Sequence, residues 1–465
     1  MSGGAPLRRE RASDAGLKPA GICRQALDVV GQLQRAGHES YIVGGGVRDL
    51  LLGETPKDFD VATDARPEQV RALFRKCRLI GRRFRIVHVY GGGKITEVAT
   101  FRADTSGGAP ATGFRADAGR IVRDNVYGSL EEDALRRDFT INSIYYDPFG
   151  DRLVSHERAL DDVRARCLRT IGDAARRYRE DPVRMLRAVR FLARPGLVAE
   201  RETGAQIARN GALLGAVPPA RLFDQLLKLF HGGAALKVYR LLREHRLFGV
   251  LFPQTMKALE HDAQGGFDDF LQKLLACTDE RVNRGLPSTP AFVLAGLWWL
   301  PVRDAAARLR AHGVPADEGG ARMRGVSEEE ALQRAVRDVA REQSGSVSAP
   351  MRLVTIVREI LVLQRLFTSS RKKDLSRLLT HPRFRAACNF FTLLEQAGLA
   401  DRADCPGWSR IEDLERTSRR RDSDGHGGRG GRGGRGGRGG SGGRGGKGRR
   451  RSAPRRRRRP AEGAA

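Results

Sequence analysis

The amino-acid sequence predicts an α+β fold, with a small sheet and its helices first and an all-helical part after them. Within about the first 150 of the 465 residues, short runs alternate polar and apolar residues, which is typical of half-buried strands. After about Asp151 apolar residues recur at spacings of three and four, which is typical of amphipathic helices. The chain ends in a Gly- and Arg-rich stretch, which predicts a disordered tail.

Local signals define each element of the first part. Alternating or apolar runs indicate strands, and proline in a first turn or glycine after a last turn indicates where a helix begins or ends. In chain order we predict a helix over 22–33, a strand over 41–43, a glycine turn over 44–46, a helix over 47–52, a strand over 58–62, a helix over 67–75, and strands over 84–90 and 94–101.

The helical part is predicted from seven amphipathic segments, which span 182–192, 220–230, 236–247, 267–275, 291–300, 353–367 and 384–397. The polar stretch 303–350 is predicted as a loose connection with helical parts. The patterns divide the chain into a disordered N-terminus over 1–20, a head over 21–150, a helical neck over 151–250, a helical body over 251–412 and a disordered tail over 413–465.

Charge and composition indicate a polyanionic partner. The net charge is +29, and residues 417–465 hold 17 Lys and Arg against 3 acids, so 15 positive charges remain on the first 416 residues. This balance favours nucleic acid over a purely solubilising role. The six cysteines have no CxxC spacing, which argues against a zinc ribbon or disulfide framework. With neither a membrane-length apolar run nor a secretory signal, a cytoplasmic protein is expected.

The tail offers a second indication of the partner. Residues 427–446 essentially repeat Gly-Gly-Arg, and further arginines follow up to residue 459. Such a segment resembles RGG-type RNA-binding tails, whose arginines contact phosphates and stack on bases. The alternative is a tail that only increases solubility.

The pair Asp58 and Asp60 is the first candidate for chemistry. Residues two apart on a strand point to the same face, so the two carboxylates are held side by side and favour a divalent cation such as Mg²⁺. Two acids on a strand are a weak signal alone. Here a glycine turn, over 44–46, stands before a helix and is followed by Arg48, which together favour phosphate binding. A phosphate cradle beside a metal site suits attack on an α-phosphate.

Further acids and arginines are candidates to support this pair. Glu97 lies among apolar residues of the strand over 94–101. Arg137 is a candidate for contact with a triphosphate, and Asp138 for holding the site together. The alternative for these two residues is an ordinary solvated ion pair at a helix end.

The last cluster lies in the segment 180–190. Arg184, Arg187 and Arg190 recur every three residues, so they share one side of a helix. Asp181 accepts hydrogen bonds and Arg184 donates them, so together they match the edge of adenine or cytosine. The alternatives are a helix N-cap for Asp181, which precedes a proline, and a solvated face for the arginines.

These motifs, in order, resemble the class II nucleotidyltransferases, the family of tRNA CCA-adding enzymes and bacterial poly(A) polymerases. The resemblance spans roughly residues 40–250 and rests on Gly-Gly-Gly-Val-Arg-Asp at 44–49, Asp-Phe-Asp at 58–60, Arg-Arg-Asp-Phe-Thr-Ile-Asn at 136–142 and Glu-Asp-Pro-Val-Arg at 180–184. It implies a mixed-sheet head followed by a helical neck and body. It also implies that Asp58 and Asp60 bind two Mg²⁺ ions.

The resemblance gives roles to the remaining candidates. Asp138 would belong to the active site, and Glu97 would serve as an additional carboxylate. The residues expected to contact nucleotide, base or phosphates are Gly45, Arg48, Arg137, Asp181, Arg184, Arg187 and Arg190.

The choice between the two branches rests on fewer residues. The segment 79–89 resembles the one that marks poly(A) polymerases, and Gly46 stands where CCA-adding enzymes often have Ala or Cys. We therefore expect a template-independent adenylyltransferase that uses ATP and extends RNA 3′ ends. The alternatives are a CCA-adding enzyme and an RNA-binding protein whose active site has lapsed.

Overall fold

The computed structural model describes residues 7–81, 85–103, 114–117, 120–124, 126–315, 323–369 and 371–401. The strands are β1 Leu7–Arg11, β2 Ser40–Val43, β3 Asp60–Thr63, β4 Cys77–Ile80, β5 Ile86–Gly91, β6 Lys94–Thr100, β7 Phe114–Asp117, β8 Arg120–Asp124, β9 Ile144–Asp147, β10 Arg152–His156, β11 Cys167–Leu168, β12 Val198–Ala199, β13 Val314–Pro315 and β14 Met323–Arg324.

The helices account for most of the remaining described chain. They are α1 Arg24–Arg35, α2 Gly45–Leu51, α3 Pro67–Leu73, α4 Leu130–Arg136, α5 Ala159–Arg164, α6 Ala174–Glu180, α7 Val183–Leu192, α8 Arg201–Asn210, α9 Pro219–Phe230, α10 Ala235–Glu244, α11 Phe248–Leu251, α12 Pro253–His261, α13 Gly266–Asn283, α14 Pro290–His312, α15 Glu328–Gln343, α16 Met351–Phe367, α17 Lys372–Leu379 and α18 Phe384–Gln396.

Eight strands form one sheet in the order β1-β10-β9-β2-β3-β6-β5-β4. The pair β3–β6 is parallel and the other pairs are antiparallel, so the sheet is mixed. This confirms the α+β fold class with a mixed sheet in the first part.

Different helices cover the two faces of this sheet. On the first face, α1 and α3 pack against alternate residues of β3, β5 and β6 in the main hydrophobic core. On the second face, α4 closes a smaller cluster over β2, β3, β9 and β10. The cluster consists of Tyr41, Val43, Ala62, Phe101, Leu130, Ala134, Tyr145 and Val154. Asp60 lies two residues before Ala62, so its side chain lies on this second face, at the edge of the cluster.

The helical part agrees with the seven predicted segments. The stretch 303–350 contains helical parts, as predicted, but more of it is helix than a loose connection implies. Helix α14 continues through Pro301 to His312, and α15 fills much of the supposed loose connection. Helix α15 buries residues at helical spacing, including Ala331, Ala335 and Val339. The buried face of α15 is narrow, and its small apolar residues are separated by many charged ones. The sequence therefore shows no clear amphipathic pattern there.

Two other predictions need correction. Within the supposedly disordered segment 1–20, β1 pairs along its length with β10. Its sequence, Leu-Arg-Arg-Glu-Arg, gives no apolar alternation because an edge strand is held mainly by backbone hydrogen bonds. The strand β10 also shows that strands do not end at residue 151.

The predicted boundaries between head, neck and body stay predictions. One hydrophobic core includes Val61 of the sheet, Leu186 of α7 and Leu361 of α16, so packing is continuous across them. Residues 402–465, with the whole predicted tail, lie outside the described residues. None of the helices in the described ranges is both long and apolar enough to cross a membrane.

Candidate active site

The glycine turn links β2 to α2 and brings α2 close to the acidic pair. Gly44 has a φ of +74°, a conformation that disfavours side chains, so glycine fits there. Gly45 begins α2, and a Cβ on it would lie 3.5 Å from Nη2 of Arg48. A Cβ on Gly46 would come within 2.9 Å of the Phe59 ring and 3.1 Å of the carbonyl oxygen of Asp58. The absence of a side chain at Gly46 therefore lets α2 pack directly against the Asp58 loop.

The acidic pair lies where β3 begins. The strand starts at Asp60 and not at Asp58 as predicted, but the alternation is kept, because Asp58 and Asp60 are exposed and Phe59 between them is 5% exposed. Asp60 pairs with Val43 on one side and with Glu97 on the parallel strand β6. The sheet register therefore places a third carboxyl group, that of Glu97, on the strand next to Asp60, and its role in the site stays a prediction.

The crowding of carboxylates changes the pKa of Asp60. Although the residue as a whole is exposed, the protein around its carboxyl disfavours the charged form, and the charges of Glu97 and Asp58 act in the same direction. Arg137 acts in the opposite direction, and the net result is a pKa raised to about 6. A carboxylate whose negative neighbours destabilise its charge is one that a cation would stabilise. The local electrostatics therefore fit a cation site on the second face of the sheet.

Arg137 lies between the glycine turn and the acidic pair, but its nitrogens already have protein partners. Nε donates to the hydroxyl of Tyr145 at 2.7 Å, Nη2 to Asp133 at 3.0 Å and Nη1 to the carbonyl oxygen of Asn142 at 3.3 Å. A Cβ on Gly44 would lie 3.4 Å from Nη1. Its charge therefore acts on the site from a fixed position.

Asp138 uses both carboxylate oxygens to join parts of the protein. One oxygen accepts from the backbone N–H of Phe139 at 2.9 Å and from Asn142 at 3.0 Å, and the other accepts from Arg187 of α7 at 2.6 Å. Burial alone would raise the pKa of Asp138, but Arg187 and these hydrogen bonds outweigh it and lower the pKa to about 2. Asp138 thus fixes α7 against the head, and its predicted place in the active site stays a prediction.

Arg48 is buried, at 4% exposure, and is paired. Nε and Nη2 donate to Asp49, and Nη1 donates to the side-chain oxygen of Asn142. Its guanidinium also lies 4.9 Å from the centre of the Phe191 ring. In this structure Arg48 holds the glycine turn to the neck, and the predicted contact with nucleotide stays a prediction.

The predicted base-reading pair lies at the start of α7, where both residues have protein partners. Asp181 accepts from Arg221 at 2.9 Å, and Nη1 of Arg184 donates to the carbonyl oxygen of Arg177 at 2.9 Å. Among the described residues, Nε and Nη2 of Arg184 have no hydrogen-bond partner. These two nitrogens of Arg184 can therefore donate to a further acceptor. The carboxylate oxygen of Asp181 that does not bind Arg221 accepts only a long hydrogen bond, from Val183 N–H at 3.3 Å.

Arg190 differs from the other predicted arginines. Among the described residues it has no hydrogen bond and no acidic partner within ion-pair distance, and it lies 5.3 Å from the centre of the Phe191 ring. Burial and the nearby charges of Arg187, Arg48 and Arg194 together lower its pKa to about 10, although the charge of Asp138 acts in the opposite direction. A partly buried cation without a counter-charge is suited to an anionic ligand.

Two residues that organise the site were not assigned a role from sequence. Asn142 is 6% exposed and contacts Arg48, Arg137 and Asp138 at once. Asn142 is the last residue of the motif at 136–142, and membership of that motif was the sequence feature that could have identified it. Arg194 donates to Asp49 at 3.0 Å and also pairs with Glu54, and neither partner could be recognised from spacing.

Comparison with known proteins identifies the family. A model of the poly A polymerase head domain matches residues 40–169, one of the probable RNA- and SrmB-binding site of polymerase A matches 196–259, and one of the arginine-rich C-terminus of polymerase A matches 324–461. The chain is 42% identical over 374 residues to poly(A) polymerase I of Escherichia coli O6:H1, which covers 80% of this chain and 78% of that protein. The chain belongs to the poly(A) polymerase family.

Other relatives agree with this assignment. Poly(A) polymerase I of Haemophilus influenzae is 40% identical over 404 residues, covering 86% of this chain and 85% of that protein. A CCA-adding enzyme of Geobacillus stearothermophilus is 39% identical over only 228 residues, which cover 49% of this chain and 54% of that enzyme. The similarity to poly(A) polymerases thus continues well beyond the part shared with the CCA-adding enzyme.

A solved structure confirms that the fold is shared. An apo form of a tRNA-processing enzyme has a TM-score of 0.51 at 19% identity, covering 84% of this chain and 99% of that one. The family resemblance and the fold class predicted from sequence are both confirmed. The roles predicted for individual residues stay predictions, because family membership does not test them.

Proposed function

We propose that this poly(A) polymerase family member adds AMP from ATP, without a template, to the 3′ ends of RNA. The 3′-hydroxyl of the RNA attacks the α-phosphate of ATP, and pyrophosphate leaves. The observation that supports the chemistry is the meeting of Asp58, Asp60 and Glu97 beside the Gly44 turn. The preference for the poly(A) branch rests on the length of the match to poly(A) polymerase I.

The acidic residues fit Mg²⁺, the metal expected of this chemistry. The part of the chain that the structure describes has no group of three or more His, Cys, Asp or Glu side chains arranged as a metal cage. Mg²⁺ does not need one, because it commonly binds one or two carboxylates together with substrate phosphates. Asp58 and Asp60 would hold two ions, which when bound lower the pKa of the attacking hydroxyl and neutralise charge on the triphosphate.

The neck supplies the contacts to the nucleotide in this proposal. Arg190, which has no acidic partner within ion-pair distance among the described residues, attracts the triphosphate. Arg184 offers its free donors to a ring nitrogen of the base, while Asp181 accepts from the exocyclic amine after release from Arg221. Asp138 and Arg187 act as positioning residues, because their mutual pairing fixes the helix that carries the contacts.

RNA is proposed to bind through positive charge on the folded part and the Gly- and Arg-rich tail. The net charge is +29, so the phosphate backbone is attracted over a long range. Because bacterial poly(A) polymerases match 80% and 86% of this chain, the proposed location is the bacterial cytosol.

The variant Asp60→Ala tests the chemistry. It should incorporate AMP into RNA at least a hundredfold more slowly than the wild type in Mg²⁺, since a ligand to the reacting groups is lost. Unfolding by urea should remain cooperative, because Asp60 is exposed. Undiminished AMP incorporation by this variant would contradict the mechanism.

The choice of substrate needs a separate experiment. Purified protein is offered ATP or CTP with either a generic RNA or a tRNA that lacks its CCA end. Long A-tails on the generic RNA support the proposal. Addition limited to three nucleotides, with use of CTP, would favour CCA addition, and RNA binding without turnover of ATP would favour a lapsed enzyme.

A further inference from the structure

One part of the sheet has an exposed face next to the acidic pair. Along β5 and β6, Val87, Val89 and Val98 point into the core, so the residues between them point outward. We define the β4–β6 platform as four of these outward residues on β4, β5 and β6, namely Arg78, His88, Tyr90 and Ile95.

No described helix covers this platform. Helices α1 and α3 pack on the opposite face of these strands, and α4 lies over β2, β9 and β10. Tyr90 is 38% exposed and Ile95 is 49% exposed, and the two are direct cross-strand neighbours. The His88 ring meets the Tyr90 ring edge-on at 6.5 Å. A continuous aromatic and apolar surface is therefore open to solvent.

The platform is continuous with the acidic pair through the register of the sheet. Arg78 pairs with His88, His88 with Glu97, and Glu97 with Asp60, so these side chains form one row across four strands. Neighbouring strands lie about 4.8 Å apart, which puts His88 roughly 10 Å from Asp60. Tyr90 is the next outward residue after His88 on the same strand.

We propose that the β4–β6 platform binds the nucleotides next to the 3′ end of the RNA by stacking their bases on Tyr90 and its neighbours. This rests on the proposed function, because the 3′-hydroxyl must then lie at Asp60 when it reacts. Stacked bases rise about 3.4 Å each. The platform thus meets the bases about three or four positions from the end.

The chemistry of the platform suits single-stranded RNA. Aromatic rings accept any base face, and arginine attracts the backbone phosphates. Arg78 is exposed and, in the part of the chain that is described, has no acidic partner within ion-pair distance. Because stacking does not read base edges, the site would tolerate any RNA sequence upstream of the growing tail, as template-independent extension requires.

The test compares Tyr90→Ala with Tyr90→Phe, which keeps the ring. The matched control is Phe149→Ala, since Phe149 is also an exposed aromatic, at 62%, but lies in the turn between β9 and β10 away from the row. With a short oligoadenylate primer, Tyr90→Ala should raise KM for RNA roughly tenfold or more, as expected for loss of one base stack. KM for ATP should stay within about twofold. Tyr90→Phe and Phe149→Ala should both resemble the wild type.

A binding measurement separates this inference from the proposed function. The probe is the same primer carrying 2-aminopurine three nucleotides from its 3′ end, whose emission is quenched by stacking. Quenching by wild type and Tyr90→Phe but not by Tyr90→Ala supports the platform, even if the protein adds no AMP at all. Equal quenching and equal KM for RNA in all variants overturns it. A changed oligomeric state of Tyr90→Ala in size-exclusion chromatography, with unchanged KM, also overturns it, because the face would then bind a second copy.

Discussion

Arg190 should reduce the stability of the free protein and contribute to ATP binding. A pKa lowered from 12.5 to about 10 means that the folded state disfavours the charged guanidinium by about 3 kcal/mol relative to the unfolded chain. At pH 7 the residue is charged in both states, so the whole cost is present, and it disappears only as the pH rises above 10. Contact with the Phe191 ring returns about 0.5–1 kcal/mol.

The perturbation is Arg190→Met, which keeps the length of the side chain and removes its charge. We expect the free energy of unfolding in urea to rise by about 1–2 kcal/mol at pH 7, after the lost ring contact and imperfect packing are allowed for. KM for ATP should rise roughly tenfold or more, because a charge-assisted contact to phosphate is lost.

Arg187→Met is the matched control, three residues earlier on the same helix. Arg187 pairs with the buried carboxylate of Asp138, so its loss leaves an unpaired charge and should destabilise the protein by about 3–5 kcal/mol. The two substitutions should therefore change stability in opposite directions. The reasoning about Arg190 is refuted if Arg190→Met is as destabilising as Arg187→Met and leaves KM for ATP unchanged.

Two further predictions concern the positions around the acidic pair. Asp138→Asn should lower the free energy of unfolding, measured by urea titration, by about 2 kcal/mol at pH 7. Because the folded-state pKa of Asp138 is about 2 and its ordinary value is 3.8, this difference should vanish as the pH falls from 4 to 2. A difference that does not depend on pH would contradict the pairing of Asp138 with Arg187. Gly46→Ala should reduce kcat at least tenfold, since its Cβ would push on the Asp58 carbonyl and the Phe59 ring. Gly215→Ala, with no atom within 4 Å of its Cβ, is the control, and equal kcat in both variants would contradict this packing argument.

Local patterns in the sequence were sufficient for the acidic pair. The i, i+2 spacing places Asp58 and Asp60 on one side whether or not Asp58 belongs to the strand, since buried Phe59 fixes the alternation. Glu97 could be named as a candidate, but its place beside Asp60 depends on the parallel pairing of β3 and β6. That pairing joins segments with a helix and two strands between them, so no local pattern contains it.

The roles of the arginines could not be separated by sequence for the same reason. Arg184, Arg187 and Arg190 are equivalent in a helical stripe. They differ in the structure because Asp138, 49 residues before Arg187, reaches only one of them. Burial of Arg48 likewise depends on Asn142, which is 94 residues away. The spacing of the arginines predicts that they share one face of the helix. Which of their charges is neutralised depends on tertiary contacts.

The pairing pattern suggests how one helix serves both assembly and binding. Arg187 binds Asp138, Arg194 binds Asp49 and Glu54, and these contacts hold α7 and its C-terminal end against the head. Between them, one turn from each, Arg190 keeps its charge without a counter-ion in the described structure. The paired arginines therefore hold the unpaired one in place, where its charge is costly until an anion arrives. Loss of Arg187 should weaken ATP binding because α7 is no longer held in position. Loss of Arg190 should weaken it because a positive charge is removed from the site. The two causes can be distinguished because the first substitution should lower the free energy of unfolding and the second should raise it.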